Sequence, residues 1–205
     1  MMMLYLHGFR SSPESSKAQM LAQRMQARGQ LDRWSCPALP ASPAEALALC
    51  KKLAQDLITQ HHADASKLTV IGSSLGGFYA VSLAEQLGCR AVALNPAVYA
   101  PRDLASQVGE HTQYHTDEPF IFLPEHVDEL RDIAAKQITR PERYLLIAAT
   151  GDEVLDWQEM HAYFEGAQQI IINGDNHGLS SFEDHIDAVL KFAGFDLNHL
   201  TLSKS

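Results

Sequence analysis

Residues 70–80 read VIGSSLGGFYA, and within them Gly72-Ser73-Ser74-Leu75-Gly76 fits the pattern G-x-S-x-G with Ser74 at its centre. A serine hydroxyl becomes a useful nucleophile when a sharp turn lifts it clear of its neighbours and a base takes its proton. Ser73 does not fill the central position, because Ile71 and Leu75 would then stand where glycines belong. The glycines suit a strained backbone, in which side chains at those positions would collide with a serine held between strand and helix. The next amide N–H, that of Leu75, is expected to point into the same space as the hydroxyl. Two other readings stay open: a purely structural turn, and an anion cradle at a helix N-terminus. A phosphate loop, however, needs Lys and Ser/Thr after the last glycine, where Phe78-Tyr79 stand, and the chain has no G-x-G-x-x-G.

A serine hydroxyl is too weakly acidic to attack unaided. It needs an imidazole base, and the base needs an orienting carboxylate. In an open parallel sheet such groups belong on loops at the carboxyl ends of strands. Two loops after the serine qualify. YLLIAATGDEVLD offers Asp152, Glu153 and Asp156, and IIINGDNHGLSSF offers Asp175 and His177. His177 sits in a Gly/Asn-rich turn and is the candidate base, an ordinary surface histidine being the alternative. Asp156-Trp157-Gln158-Glu159 reads as a helix capping box, and Asp175 as the acid that closes its own turn. That favours Asp152 as the orienting acid, with Glu153 and Asp156 left as alternatives. A developing oxyanion wants a second N–H donor. The early stretch LYLHGF offers the amide of Phe9 after His7-Gly8. His7 suits holding that loop by hydrogen bonds, and its service as the base stays open.

The elements that must position these groups are legible as alternating short apolar runs and longer amphipathic ones, the pattern of an α/β parallel sheet. Strands are expected at 2–6, 33–36, 68–71, 91–94, 143–148 and 169–172. Ser12-Pro13 reads as a helix start, with Ala18, Leu21, Ala22 and Met25 on one face and Gly29 as the stop. Ser42-Pro43-Ala44-Glu45 reads as a capping box ahead of Cys50, Leu53, Ala54 and Leu57. Ser181 opens the last helix, with Phe182, Ile186, Val189 and Leu190 facing the core. The segment 97–139 breaks the alternation. It is longer than an ordinary connection, and EPFIFLPEHVDEL within it mixes an apolar run, a proline and a helix signal. It is expected to be a lid-like insertion in a single domain spanning 1–205.

The whole-chain numbers narrow the class. At 205 residues and 46% hydrophobic, the chain supports one domain with a sizeable core. A net charge of −9 argues against general affinity for nucleic acid or anionic membrane, and no stretch is long and apolar enough to span a bilayer. The start lacks the basic flank and apolar core of a signal peptide. Three widely spaced cysteines, Cys36, Cys50 and Cys89, suggest reduced thiols in a cytoplasmic protein. Of the ten histidines, the adjacent His61 and His62 point about 100° apart on a helix, so no metal site is expected.

Taken together, LYLHGFRSSPESSKA, PALP, VIGSSLGGFYA, LNPAV, TGDEVLD and GDNHGLSSFEDH resemble the α/β-hydrolase superfamily, and more closely its small bacterial esterase family of the YqiA type. The order of Ser74, Asp152 and His177 along the chain is that of the superfamily. The resemblance implies a three-layer α/β/α fold with a mostly parallel sheet of six or seven strands, starting at the third strand of the usual eight. It implies an esterase or thioesterase working on acyl substrates without a cofactor. It carries the triad to Ser74, Asp152 and His177, and the oxyanion donors to Phe9 and Leu75. Short-to-medium acyl chains are expected, in a pocket for which His7, Phe9, Tyr99, Phe120 and Phe122 are candidates, ordinary packing being the other reading of the aromatics. In the family pattern arginine often directly follows N-P-A-V; here Tyr99 does, and Arg102 comes later. Acyl-CoA is a further substrate class, with Arg10, Lys17 or Arg102 set against its phosphates. Two rival readings remain: a non-catalytic hydrolase fold that binds a ligand or partner, and a triad enzyme acting on carbon–carbon or amide bonds. Oligomeric state is not legible.

Overall fold

Four of the expected strands, 2–6, 68–71, 91–94 and 143–148, are near-continuous apolar runs, as strands buried on both faces must be. The computed structural model describes residues 1–114, 116 and 118–197. Six strands form one sheet: β1 (Met2–Leu6), β2 (Trp34–Ser35), β3 (Leu68–Ser73), β4 (Arg90–Leu94), β7 (Tyr144–Ala149) and β8 (Gln168–Ile172). Between the fourth and fifth of these, β5 (Gly109–Thr112) and β6 (Pro119–Phe122) pair as a separate antiparallel hairpin. The main sheet runs β2-β1-β3-β4-β7-β8, and every pairing in it is parallel. The chain winds outward from β1 to β2 and then returns to place β3 on the other side of β1. The direction of winding therefore reverses between β1 and β3, where an open parallel sheet leaves a crevice at its carboxyl edge.

Helices cover both faces. α1 (Ser16–Ala27) and α7 (Ile186–Phe192) pack on Met3, Tyr5, Ile71, Val92 and Ile147. On the opposite face α2 (Pro43–Gln60), α3 (Leu75–Leu87), α5 (Pro124–Ile133) and α6 (Trp157–Tyr163) pack on Leu4, Leu6, Val70, Ala93 and Leu146. The short α4 (Ala100–Asp103) adds Ala100 to the same side. These are the three layers expected from the sequence. Residues Leu75 to Ala84 of α3 are all buried, so the first ten residues of this helix are covered around their whole circumference, with Ser82 donating its hydroxyl proton to the Ile133 carbonyl.

Two local starts differ from expectation. α1 begins at Ser16, because Ser12 is used in a preceding turn: its hydroxyl accepts from the Glu14 N–H at 3.2 Å, and its carbonyl accepts from the Ser15 N–H at 3.1 Å. The last helix is preceded by a 3-10 turn over Phe182–His185, which delays α7 to Ile186. α2 starts as expected, with the Ser42 hydroxyl accepting from the Glu45 N–H at 3.2 Å and Pro43 in its first turn. All three cysteines are free. Burial pushes the Cys36, Cys50 and Cys89 thiols up to about 12, so they behave as small apolar side chains. Among the described residues no helix is long and apolar enough to cross a membrane.

Candidate active site

The turn after β3 carries real backbone strain. Ser74 stands at φ 55°, ψ −120°, a conformation that residues with a Cβ avoid, costing on the order of 1–3 kcal/mol. Neighbouring backbone over-determines it. The Ser74 N–H donates to the Leu94 carbonyl at 3.0 Å, while its carbonyl accepts from the N–H groups of Gly77 at 2.9 Å and Ala97 at 3.1 Å. The glycines are required, but not by contact with the serine itself. A Cβ on Gly72 would lie 2.0 Å from the Gly76 carbonyl oxygen, and one on Gly76 would lie 2.0 Å from that of Leu6. The turn folds back on itself and presses its backbone against the end of β1, and that contact excludes any side chain.

Over Ser74 stands His177, from the loop after β8. Its Nε2 lies 3.1 Å from Ser74 Oγ, and its Nδ1 lies 2.8 and 3.0 Å from the two carboxylate oxygens of Asp152, in the loop after β7. The Asp152 side chain is fully buried, while that of His177 remains 21% exposed on the cleft side. Asp152 Oδ1 also accepts from the N–H groups of Val154 at 2.8 Å and Leu155 at 2.9 Å, which holds the carboxylate independently of the imidazole. The two alternative acids have other partners. Glu153 accepts from the His177 backbone N–H at 3.0 Å, a bond that holds its carboxyl below the usual range. Asp156 caps α6 through the Gln158 N–H at 2.8 Å. Asp175 closes its own turn, accepting from Asn176, Ser180 and Ser181. Those bonds outweigh the effect of burial and hold its carboxyl down at about 2.

Sequence reasoning missed Asn95. It follows the last residue of β4, is wholly buried, and adopts φ 40°. Its Nδ2 donates to the carbonyls of Asn176 and His177, both at 3.1 Å, and its Oδ1 accepts from the Ala149 N–H at 2.8 Å. One amide thus ties the ends of β4 and β7 to the loop that carries the imidazole. The available signal was an uncharged polar residue directly after the apolar run AVAL, at a depth where an unpaired amide is not tolerated.

On the other wall, the loop after β1 approaches closely enough that a Cβ on Gly8 would lie 3.2 Å from Ser74 Cβ. Phe9 and Leu75 line the same cleft as Ser74 and His177. Among the described residues, no hydrogen bond from either N–H to a protein acceptor is seen. The Phe9 ring is held edge-on by Phe120 at 5.1 Å, Phe122 at 5.2 Å and His111 at 5.6 Å. Two hydrogen bonds join the same two segments: the Tyr114 N–H donates to the Arg10 carbonyl at 2.9 Å, and the Arg10 side chain donates through Nε to the Thr112 carbonyl at 2.8 Å. The cleft measures about 410 Å³, and Leu75, Ala97, Leu104, Val154 and Leu155 make one side of it apolar.

Five expected pocket residues do not line this cleft; Phe122 is one, buried with its ring against Phe9 and His126. His7 is buried behind it, with Nε2 accepting from the Leu39 N–H at 3.1 Å and Nδ1 bonded to the Gly8 carbonyl at 3.0 Å, so it braces the loop. Phe120 packs behind Phe9. Tyr99 is 44% exposed, with the Arg102 guanidinium 4.8 Å above its ring. Arg102 itself makes a two-pronged bond to Glu159 at 2.8 and 2.6 Å and another to Asp103 at 2.8 Å; these carboxylates raise its affinity for its proton. Its charge is satisfied within the protein.

The model of the uncharacterised protein family UPF0227 matches residues 2–194. A UPF0227 protein of Yersinia pseudotuberculosis is 28% identical over 137 residues, 62% of this chain and 64% of that protein, so the match takes in just under two thirds of the relative's length. Among solved structures, the ferulic acid complex of Est1E from Butyrivibrio proteoclasticus superposes with a TM-score of 0.63 at 15% identity, covering 94% of this chain and 88% of that one. Alpha/beta hydrolase domain-containing protein 10 from mouse gives 0.63 at 15% identity, covering 92% and 89%. At these identities the likeness establishes the fold, which is that of the α/β hydrolases.

Proposed function

The chain belongs to the UPF0227 family, and on that footing we propose that it is a serine hydrolase cleaving small carboxylic esters or thioesters through an acyl-enzyme on Ser74. One observation carries the reading: His177 lies within hydrogen-bonding distance of Ser74 Oγ through one ring nitrogen and of a buried carboxylate through the other. With Asp152 accepting the Nδ1–H, the imidazole keeps Nε2 free to act as a base. Ser74 Oγ attacks the carbonyl carbon as His177 takes its proton. The charge that develops on the carbonyl oxygen is met by the N–H groups of Phe9 and Leu75. The tetrahedral intermediate collapses, His177 protonates the departing alcohol or thiol, and water repeats the sequence to release the acid. The esterase among the structural neighbours supports this reading through shared fold alone.

The cleft volume suits short-to-medium acyl groups. The pairing of Arg102 with two carboxylates counts against its holding the phosphates of acyl-CoA. Residues 97–139 act as the cover of a single domain, since Asp103, Leu104, Gln107 and Tyr114 from that segment line the cleft. The test is reaction with a fluorophosphonate probe, followed by peptide mass spectrometry, alongside turnover of 4-nitrophenyl butyrate. Modification at Ser74 is expected, with turnover falling about 10⁴-fold or more in Ser74→Ala. Folded protein that resists the probe, or a Ser74→Ala variant with undiminished turnover, overturns the proposal.

A further inference from the structure

The cleft has a second side whose chemistry the hydrolase reading does not use. Tyr5, Ser11, Ser15, Lys17 and Ser73 line it, on the α1 side of the sheet. Tyr5 is fully buried, yet its hydroxyl makes no hydrogen bond. The Ser15 and Ser73 hydroxyls stand beside it without a well-formed bond to it. Ser15 is the residue before α1, but its hydroxyl caps nothing and is likewise buried without a partner. The Lys17 ammonium donates to the Gly178 carbonyl at 2.6 Å, which commits one of its three protons. Among the described residues no carboxylate forms an ion pair with it. The nearby Asp175 is occupied by its own turn.

We propose that this side of the cleft is a carboxylate-binding subsite, so that the substrate is a small ester carrying a free acid group; the inference rests on the hydrolase reading for its place in catalysis. The group that fits must accept, because an ammonium only donates and unpartnered hydroxyls have protons to give. A carboxylate presents about four lone-pair positions and so can meet Lys17 together with the Tyr5 and Ser15 hydroxyls. A buried hydroxyl without a partner is a standing cost to the fold, removed when a ligand oxygen arrives. The apolar wall of Leu104, Val154 and Leu155 takes the hydrocarbon part of the same molecule. A cleft of about 410 Å³ limits that molecule to a few carbons on either side of the ester.

The test separates binding from turnover. Monomethyl glutarate and dimethyl glutarate are titrated calorimetrically into the Ser74→Ala protein at neutral pH. The monoester is expected to bind about 10- to 100-fold more tightly, the usual worth of hydrogen bonds to a charged group. Lys17→Met should abolish that preference and Tyr5→Phe should reduce it. Arg10→Met, which removes a cation stacked on Tyr114 outside this side of the cleft, should retain it. Equal affinity for the two esters, no binding of either, or a preference that survives Lys17→Met overturns the subsite. Hydrolysis of 4-nitrophenyl butyrate by the unmodified protein reports separately on the hydrolase reading.

Discussion

Asn95 offers the sharpest link between folding and turnover. Replacing it with alanine removes two donors to the Asn176 and His177 carbonyls and one acceptor for the Ala149 N–H. The bond to the Ala149 N–H is buried and the other two are half-buried, so water replaces the amide only in part. At about 1 kcal/mol for each hydrogen bond the loss is about 3 kcal/mol. The left-handed φ of 40° adds about 1 kcal/mol for alanine, which lacks the tolerance of asparagine for that region. Asn95→Gly loses the same bonds without the steric penalty, so it should stand about 1 kcal/mol above Asn95→Ala. A stability of roughly 5–15 kcal/mol leaves both variants folded at room temperature. Two of the three bonds hold the imidazole's own loop, and a shift of about 1 Å at the reacting groups lowers the rate roughly 10²-fold. Urea unfolding monitored by circular dichroism measures the first effect. The second is kcat for 4-nitrophenyl butyrate under conditions where each variant is fully folded. An Asn95→Gly protein within about 1 kcal/mol of the parent, or one with unchanged kcat, would refute the reasoning.

Gly76→Ala should cost more than about 4 kcal/mol and leave little soluble protein, because its Cβ would meet backbone atoms that cannot yield; a normal melting curve contradicts this. Asp175→Asn probes acid stability. The folded carboxyl titrates at about 2 against an ordinary 3.8, so its contribution is full above about pH 4 and is lost as pH falls through 2. The stability gap between parent and variant in urea should therefore close over that interval, and a gap independent of pH excludes the assignment. Arg102→Met removes an exposed ion pair and should change stability by less than about 1 kcal/mol, with KM for neutral esters unaltered; a large rise in KM would return Arg102 to the substrate site.

The four inner strands were legible because a parallel strand buried on both faces has little choice but an apolar run; LYL, TVI, AVAL and LLIAA are such runs. The residues of the proposed site could be singled out for a related reason. The glycines around Ser74 and the loop positions of Asp152 and His177 answer to backbone geometry that is local in sequence. What could not be read depends on partners far along the chain. Asn95 matters through residues 81 and 82 positions away. Tyr99 and Arg102 stand near the serine in sequence order, yet Glu159, 57 residues later, draws Arg102 outward. GEHT, the first strand of the β5–β6 hairpin, has alternating burial and no apolar run, so nothing local announced it. The start of α1 was misplaced because Ser12-Pro13 suits the first turn of a helix and a free-standing turn equally well.

Phe9 packs by its ring on the β5–β6 hairpin and, in the proposed reaction, presents its amide to the cleft where charge appears. Any displacement of that hairpin would drag the amide with it, since three ring contacts of Phe9 and two hydrogen bonds of the adjacent Arg10, one from its backbone and one from its side chain, couple them. On the proposed reaction, admitting a bulkier molecule and misplacing an oxyanion donor would then be one and the same event.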